Sequence, residues 1–95
     1  MNTNYRKGRA REWKTITVLG RAGWPAFRTA GSHGPFDVFA LGPTGVRLIQ
    51  VKSGSARLSP VDREKLKGLV RPPNATLEVW RWPDRRREPL IEVVT

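Results

Sequence analysis

A predicted β-hairpin constrains the fold of this chain more than any other stretch of its sequence. Its arms, Gly34–Ala40 and Val46–Lys52, are short, apolar and rich in β-prone residues, and the Gly-Pro-Thr-Gly segment Gly42–Gly45 between them is typical of a turn. The arms are therefore expected to pair antiparallel, so that the start of the first lies beside the end of the second.

Three polar side chains lie at that shared end of the hairpin. Asp37 is near the start of the first arm, and Gln50 and Lys52, two residues apart on one face, are near the end of the second. Polar groups in an apolar strand lower its stability unless they are paired or functional, and two interpretations remain open. One is a partly buried ion pair of Asp37 with Lys52. The other is a metal-dependent phosphodiesterase site, in which Asp37 holds a divalent cation, Gln50 supplies an amide oxygen and Lys52 faces the scissile phosphate.

The charge balance of the chain indicates a polyanionic partner. Its 95 residues, expected to form one domain (residues 1–95), contain 18 Lys and Arg against 8 Asp and Glu, a formal net charge of +10. Nucleic acid is the leading candidate, with an anionic membrane surface as the alternative. No stretch approaches the roughly 20 apolar residues of a spanning helix, and residues 1–14 lack the apolar block of a signal peptide. We therefore expect no membrane partner and a location in the cytoplasm of a bacterial, archaeal or phage-infected cell.

The sequence also restricts the kind of metal site that can form. It has no cysteine and one histidine, so thiolate sites and His-rich sites are excluded and the ligands must be oxygens. Oxygen ligands favour Mg²⁺, with Mn²⁺ as the alternative. Through Val61 the only acidic residues are Glu12 and Asp37, set among ten Lys and Arg residues. A phosphate-binding surface should lack carboxylates except where it needs them, so these two residues require an explanation.

A first helix is predicted from Asn4 to about Gly23. Its apolar stripe is expected to contain Trp13, Ile16 and Leu19, which recur at helical spacing. Glu12 borders that stripe and can lean toward the sheet. The amino-terminal half of the helix is strongly basic, which fits either a solvated face or phosphate contact; the residues are Arg6, Lys7, Arg9 and Arg11.

The remaining elements follow from turn and cap signals. A short strand is predicted at Trp24–Thr29, and a second helix from a Ser59 cap to about Val70, with Val61, Leu66, Leu69 and Val70 as its buried residues. Two closing strands are predicted at Ala75–Trp82 and Pro89–Val94, with Trp80 and Trp82 together on an outer face that serves as a partner surface. The order α-β-β-β-α-β-β predicts an α/β or α+β domain, with a central mixed β-sheet and its helices on both faces or on one.

The chain resembles the archaeal-type Holliday junction resolvases of the PD-(D/E)XK nuclease superfamily. The likeness runs from about Tyr5 to Leu69. It depends on Lys7-Gly8-Arg9, Glu12, Arg28, Gly31-Ser32, Asp37 and Gln50-Val51-Lys52. The resemblance implies an α/β fold with a restriction-endonuclease-like core. It also implies a Mg²⁺-dependent DNA endonuclease of recombination and repair, which resolves four-way junctions as a homodimer by paired, symmetric phosphodiester hydrolysis.

The resemblance also assigns roles to individual residues. Asp37 corresponds to the principal metal ligand, Lys52 to the signature lysine and Glu12 to the helix-borne carboxylate, with Ser32 as the loop serine. The implied metal ligands are Asp37, Gln50, the Val51 carbonyl and Glu12. The predicted DNA contacts are Arg6, Lys7, Arg9, Arg11, Arg28, His33 and Arg57.

Two positions depart from the family pattern. Gln50 stands where the signature usually has Glu or Asp, which removes one negative charge, so weaker metal binding and greater dependence on Glu12 are expected. Pro35 and Phe36 precede Asp37, where a proline often comes immediately before the aspartate. Two alternatives therefore remain: an Mrr-like or virus-type replication-repair nuclease that acts on other DNA structures, and a non-catalytic basic DNA-binding protein.

Overall fold

The computed structural model of the chain describes residues 3–29 and 36–94, with side chains from residue 8 onward. These residues form two helices and five strands in the predicted order. The elements are α1 (Thr3–Arg21), β1 (Ala26–Arg28), β2 (Val38–Gly42), β3 (Gly45–Ser53), α2 (Pro60–Lys67), β4 (Ala75–Trp82) and β5 (Leu90–Val94). Neither helix of this described part has the length and apolar content needed to cross a membrane.

The five strands form one mixed sheet in the order β1-β2-β3-β4-β5. The pairs β1–β2, β2–β3 and β4–β5 are antiparallel, whereas β3 and β4 are parallel and are connected through α2. The carboxyl ends of β1, β3 and β4 and the start of β2 therefore lie at the same end of the sheet, which we call the Asp37 end. The mixed sheet expected from the order of elements is confirmed.

One helix packs on each face of the sheet, which is one of the two arrangements expected. Leu19 of α1 joins a buried cluster with residues of β2, β3 and β4, and Leu66 of α2 joins a second cluster with residues of β4 and β5. Strand β4 contributes to both clusters, because both of its faces are covered, one on the side of α1 and the other on the side of α2.

The prediction that Trp80 and Trp82 form an outer partner surface is wrong. Their side chains are only 2% and 1% exposed and lie in the cluster under α1. The Trp82 Nε1–H group donates a 2.8 Å hydrogen bond to Oγ1 of Thr15 in the helix. Alternation along β4 separates its two faces correctly, but it does not reveal that both faces are covered.

The apolar stripe predicted for α1 is only partly correct. Leu19 is buried and Ile16 packs against the same cluster, but Trp13 is 54% exposed. The face against the sheet instead includes Thr15, which is fully buried, and Glu12. The stripe is therefore rotated toward Glu12, because Thr15 can lie in the core while its hydroxyl donates to the Arg11 carbonyl oxygen at 2.8 Å.

Helix α2 begins as predicted and ends earlier. The Ser59 hydroxyl accepts a hydrogen bond from the Asp62 amide at 3.1 Å, and Pro60 occupies the first turn. The helix ends at Lys67, because the amide of Gly68 caps its last carbonyls. Leu66 is buried as predicted, but Val61 is exposed, since this short helix presents a narrow face to the sheet, and Val70 is exposed because it lies beyond the end of the helix.

The glycines of the hairpin turn are required by packing as well as by turn geometry. A Cβ atom at Gly45, whose φ is +152°, would lie 2.0 Å from the Asn74 carbonyl oxygen, and one at Gly42 would lie 2.5 Å from the Trp24 ring. The Val46 amide donates to that same Asn74 oxygen at 3.1 Å. The turn therefore fixes where β3 begins relative to β4, and so fixes the register at the Asp37 end.

Candidate functional site

Asp37 is held in place by backbone hydrogen bonds on two sides. Its amide donates to the Ile49 carbonyl oxygen at 2.8 Å, and its own carbonyl oxygen accepts from the Thr29 amide at 3.0 Å. Its side chain turns toward β3, where Oδ2 accepts a 2.9 Å hydrogen bond from the Val51 amide. The carboxylate is therefore positioned by β1 and β3 together.

The Val51 carbonyl faces the same gap as the Asp37 carboxylate. The amide and carbonyl of one residue in a strand point to the same edge, and the Val51 amide points toward Asp37. The β2–β3 ladder ends at the pair Val38 and Ile49, so β2 does not extend alongside this carbonyl. A carbonyl oxygen is thus directed to the place where the sequence predicts a cation.

Glu12 leans toward the sheet, as the sequence indicated. Its Oε1 accepts a 2.9 Å charge-assisted hydrogen bond from Nε of Arg28, and the two side chains are 16% and 22% exposed. The Arg28 guanidinium also lies 5.6 Å from the centroid of the Trp13 ring. This ion pair connects α1 to β1 at the Asp37 end of the sheet.

The environment of Asp37 disfavours its negative charge. Burial raises the pKa of Asp37 above its ordinary value of 3.8; the hydrogen bond from the Val51 amide opposes this shift, and the nearby charge of Glu12 adds to it. The positive charges of Lys52 and Arg28 lower the pKa again by smaller amounts. Two carboxylates close enough to repel each other are an arrangement that a divalent cation would stabilise.

Gln50 and Lys52 lie on the face of β3 opposite to Ile49 and Val51. Asp37 and Lys52 do not form the ion pair that the sequence left open, because the Asp37 carboxylate bonds to the Val51 amide instead. Lys52 is half-buried and acts on Asp37 only through its charge. The simple ion-pair interpretation is therefore not supported.

Arg81 is a residue that the sequence analysis missed. The parallel register places it directly beside Lys52, on the face of β4 that also carries Val79. Like charges in neighbouring strands repel and lower the stability of the sheet. Within the described residues no salt bridge or hydrogen bond pairs Arg81 with a carboxylate, so the two cations form a site that suits an anion. The register, which the sequence does not reveal, brings them together.

The other predicted DNA contacts have different environments. Arg9 and Arg57 are exposed, and Arg57 lines a cavity of about 380 Å³ together with Arg63 and Arg81. Arg11 is directed inward, where its NH2 atom lies 3.9 Å from Asp84 and its buried Nε has no hydrogen-bond partner among the described atoms. Other predicted site residues lie outside the described residues: Ser32, His33 and the side chains of Arg6 and Lys7.

The donors present fit a hard cation. Within residues 3–29 and 36–94 there is no group of three or more His, Cys, Asp or Glu side chains that could hold a metal. Asp37 and Glu12 are the two carboxylates near this end, the Val51 carbonyl oxygen faces the same gap, and the Gln50 amide, on the other face of β3, is the remaining predicted donor. An all-oxygen set of this kind matches magnesium or manganese.

The fold and this end of the sheet define a nuclease with a restriction-endonuclease-like core. The family model for the archaeal Holliday junction resolvase (Hjc) matches residues 3–73. The chain therefore belongs to the archaeal Holliday junction resolvase family. Its structure is similar to that of Archaeoglobus fulgidus Hjc, a Holliday junction resolvase from an archaeal hyperthermophile, with a TM-score of 0.75, 27% identity and coverage of 93% of this chain and 73% of that chain. No match was found among curated protein sequences.

Membership of this family gives the class of reaction and of substrate. The chain is a nuclease that binds branched DNA and resolves four-way junctions, and it uses a divalent metal ion as the family does. A net charge of +10 agrees with a substrate whose backbone carries one negative charge per phosphate.

Proposed function

We propose that Asp37 and Glu12, with the Val51 carbonyl and the Gln50 amide oxygen, bind the Mg²⁺ ion used in junction cleavage, with Mn²⁺ as a substitute. The observation that carries this proposal is the Asp37 carboxylate fixed on the Val51 amide, where burial and, to a smaller extent, the charge of Glu12 raise its pKa. When bound, the ion supplies Lewis acidity at the scissile phosphate. Asp37 and Glu12 hold the ion in position. Residues 1–95 form a single catalytic domain.

The neighbouring cations place the phosphate. Lys52 and Arg81, side by side on β3 and β4, hold the negative charge that grows on the phosphate as the bond breaks. Arg28 reaches the same end of the sheet and leaves Glu12 for the phosphate when DNA is present. Arg9 and Arg57 contact the flanking backbone, which fixes the orientation of DNA without reading its bases. Contacts of this kind suit an enzyme that recognises branch geometry.

We further propose that the enzyme acts as a homodimer. Two opposed cuts require two active sites related by a two-fold axis. The interface expected at Trp80 and Trp82 is ruled out by their burial. Exposed apolar side chains that could form a contact include Val70, three residues beyond α2, and Leu90, Ile91 and Val93 of β5. Sedimentation equilibrium of the free protein should give twice the mass of one chain.

A cleavage assay on matched DNA substrates tests the proposed function. A labelled four-way junction, a linear duplex of the same sequence and a flap are each incubated with Mg²⁺ or with EDTA. Paired, symmetric cuts confined to the junction and lost in EDTA are expected. Equal cutting of the flap would favour the Mrr-like or virus-type nucleases, and binding without cleavage under any metal would favour a non-catalytic DNA-binding protein.

Replacement of Gln50 by glutamate should strengthen metal binding. The variant adds a negative charge to a donor set that contains only two carboxylates, so the Mg²⁺ concentration for half-maximal cleavage should fall by about tenfold. Gln50→Ala removes the oxygen without adding charge and should raise that concentration. The two variants should therefore move the metal midpoint in opposite directions. Identical midpoints in both would place Gln50 outside the metal site.

A further inference from the structure

Trp13 is a large aromatic side chain exposed beside the proposed active site. It follows Glu12 on α1 and is 54% exposed, whereas Trp80 and Trp82 are buried. The guanidinium of Arg28 lies 5.6 Å from its ring centroid while also binding Glu12. Trp13 is therefore in contact with a side chain of the proposed site, although it takes no part in the cluster under α1.

Core packing does not explain this position. The core side of α1 is filled by Thr15, Ile16 and Leu19, and the ring of Trp13 lies outside it. A single exposed apolar residue is ordinary on a protein surface. Trp13, however, has the Arg28 guanidinium 5.6 Å from its ring centroid, and Arg9, one helical turn earlier in α1, is exposed. A flat apolar ring beside a guanidinium complements a ligand that is itself flat, apolar and attached to phosphate.

A nucleobase is such a ligand, and a branched substrate offers it. In a linear duplex each internal base is stacked on both sides, so no base face is available to a protein ring. Base pairs that flank a branch point have faces that can become unstacked. Stacking of a base on an aromatic side chain stabilises a complex without regard to sequence, because every base has a π face.

We propose that Trp13 stacks on an unstacked base at the branch point and thereby contributes to the preference for junctions over linear duplex. This inference rests on the proposed placement of the scissile phosphate at Asp37 and Lys52, since that placement brings the branch next to α1. The Arg28 guanidinium packs against one side of the ring and holds its orientation, and the exposed part of the ring contacts the base.

Binding measured in EDTA tests the stacking role independently of cleavage. Trp13→Ala should bind the four-way junction about tenfold more weakly, while its affinity for the linear duplex changes less than about twofold. Trp13→Phe keeps an aromatic ring and should restore most of the junction affinity. Val18→Ala is the matched control, because Val18 is exposed on the same helix and is not one of the residues of the proposed site. A 2-aminopurine at the branch point should be quenched by the native protein and less by Trp13→Ala.

The salt dependence of binding separates stacking from indirect positioning of Arg28. A phosphate contact adds about one unit to the slope of log affinity against log salt, whereas stacking adds none. Trp13→Ala should keep the native slope, and Arg28→Ala should reduce it by about one. A Trp13→Ala slope reduced like that of Arg28→Ala would overturn the proposal. So would equal losses for junction and duplex, a native junction affinity, or a change in dimer mass, which would assign Trp13 to a protein contact.

The same experiments distinguish a failure of this inference from a failure of the proposed site. Native junction affinity in Trp13→Ala removes the stacking role, while metal-dependent cleavage that Asp37→Asn abolishes keeps the site assignment. Undiminished cleavage by Asp37→Asn would show that the active site lies elsewhere. The junction preference of Trp13→Ala is measured in EDTA, so it would still report on Trp13 in that case.

Discussion

Replacing Asp37 by asparagine should reduce junction cleavage by at least about a thousandfold while leaving junction binding intact. The loss corresponds to several kcal/mol of Lewis-acid stabilisation of the transition state. Asparagine retains an oxygen that can accept the Val51 amide hydrogen bond, so the strand ends should keep their positions. Cleavage is measured on the labelled junction under single-turnover conditions, and binding is measured in parallel in EDTA.

The same substitution should stabilise the metal-free fold at neutral pH. Because the pKa of Asp37 is raised in the folded protein, its ionised form is disfavoured there relative to the unfolded chain, and this destabilisation is present once pH exceeds the folded pKa. Asp37→Asn removes it, so its free energy of unfolding should exceed the native value at pH 7. The difference should vanish below the ordinary pKa of 3.8. Mg²⁺ should stabilise the native protein and not the variant. A variant less stable than the native protein at pH 7 would contradict the raised pKa assigned to Asp37.

Replacing Glu78 by alanine should lower the free energy of unfolding more than any other substitution proposed for this protein. Glu78 is 4% exposed, and its carboxylate accepts two hydrogen bonds from Arg47, at 2.7 and 2.8 Å. It also accepts from Nε1 of Trp80 at 2.9 Å and from the Thr76 hydroxyl at 2.8 Å. Its removal leaves the Arg47 guanidinium without a carboxylate between the rings of Trp24 and Trp80. Breaking a buried pair in this way costs about 3–5 kcal/mol.

Urea unfolding checks this loss against a matched surface pair. Arg63 and Glu92 also form a two-pronged ion pair, with distances of 2.6 and 3.0 Å, but the Glu92 side chain is 52% exposed, against 4% for Glu78. Glu92→Ala should therefore change the unfolding midpoint far less than Glu78→Ala. Similar midpoints for the two variants would show that the burial of Glu78 does not determine how much its ion pair contributes to the free energy of unfolding.

Acid should weaken the Glu78 network in a defined direction. Burial alone would raise the pKa of Glu78, but the hydrogen bonds from Arg47, Trp80 and Thr76 outweigh it, and the pKa is lowered below its ordinary 4.5. The stabilisation is therefore fully present above pH 4.5 and is lost as pH falls through the lowered folded pKa. The native protein should lose more unfolding free energy on acidification than Glu78→Gln. Parallel pH profiles would contradict this assignment.

The local parts of the fold and site follow from the sequence. The turn at Gly42–Gly45 and the period-two pattern of its arms set the hairpin register, and that register ends at Val38 opposite Ile49, which brings Asp37 beside the end of β3. Glu12 stands out in the sequence because it is one of only two acidic residues up to Val61, in a stretch with ten Lys and Arg residues. These features depend on short-range geometry and on charge, which the sequence displays directly.

The missed features depend on contacts between distant segments. The phase of α1 against the sheet decides whether Trp13 is buried, and a buried threonine shifted that phase. The burial of both faces of β4, and hence of Trp80, depends on where α1 crosses the sheet. The position of Arg81 beside Lys52 is set by a parallel register reached through α2, for which no local turn provides a signal.

Strand β3 carries two functions that are physically separate. Arg47, near its start, belongs to the buried network with Glu78, while Lys52, near its end, belongs to the proposed active site. Five residues of extended chain span about 16 Å, beyond the distance over which substitutions usually influence each other. The chemistry at one end can therefore change without altering the framework at the other. This separation makes β3 a suitable strand on which to redesign cleavage, for example at position 50, without redesigning the fold.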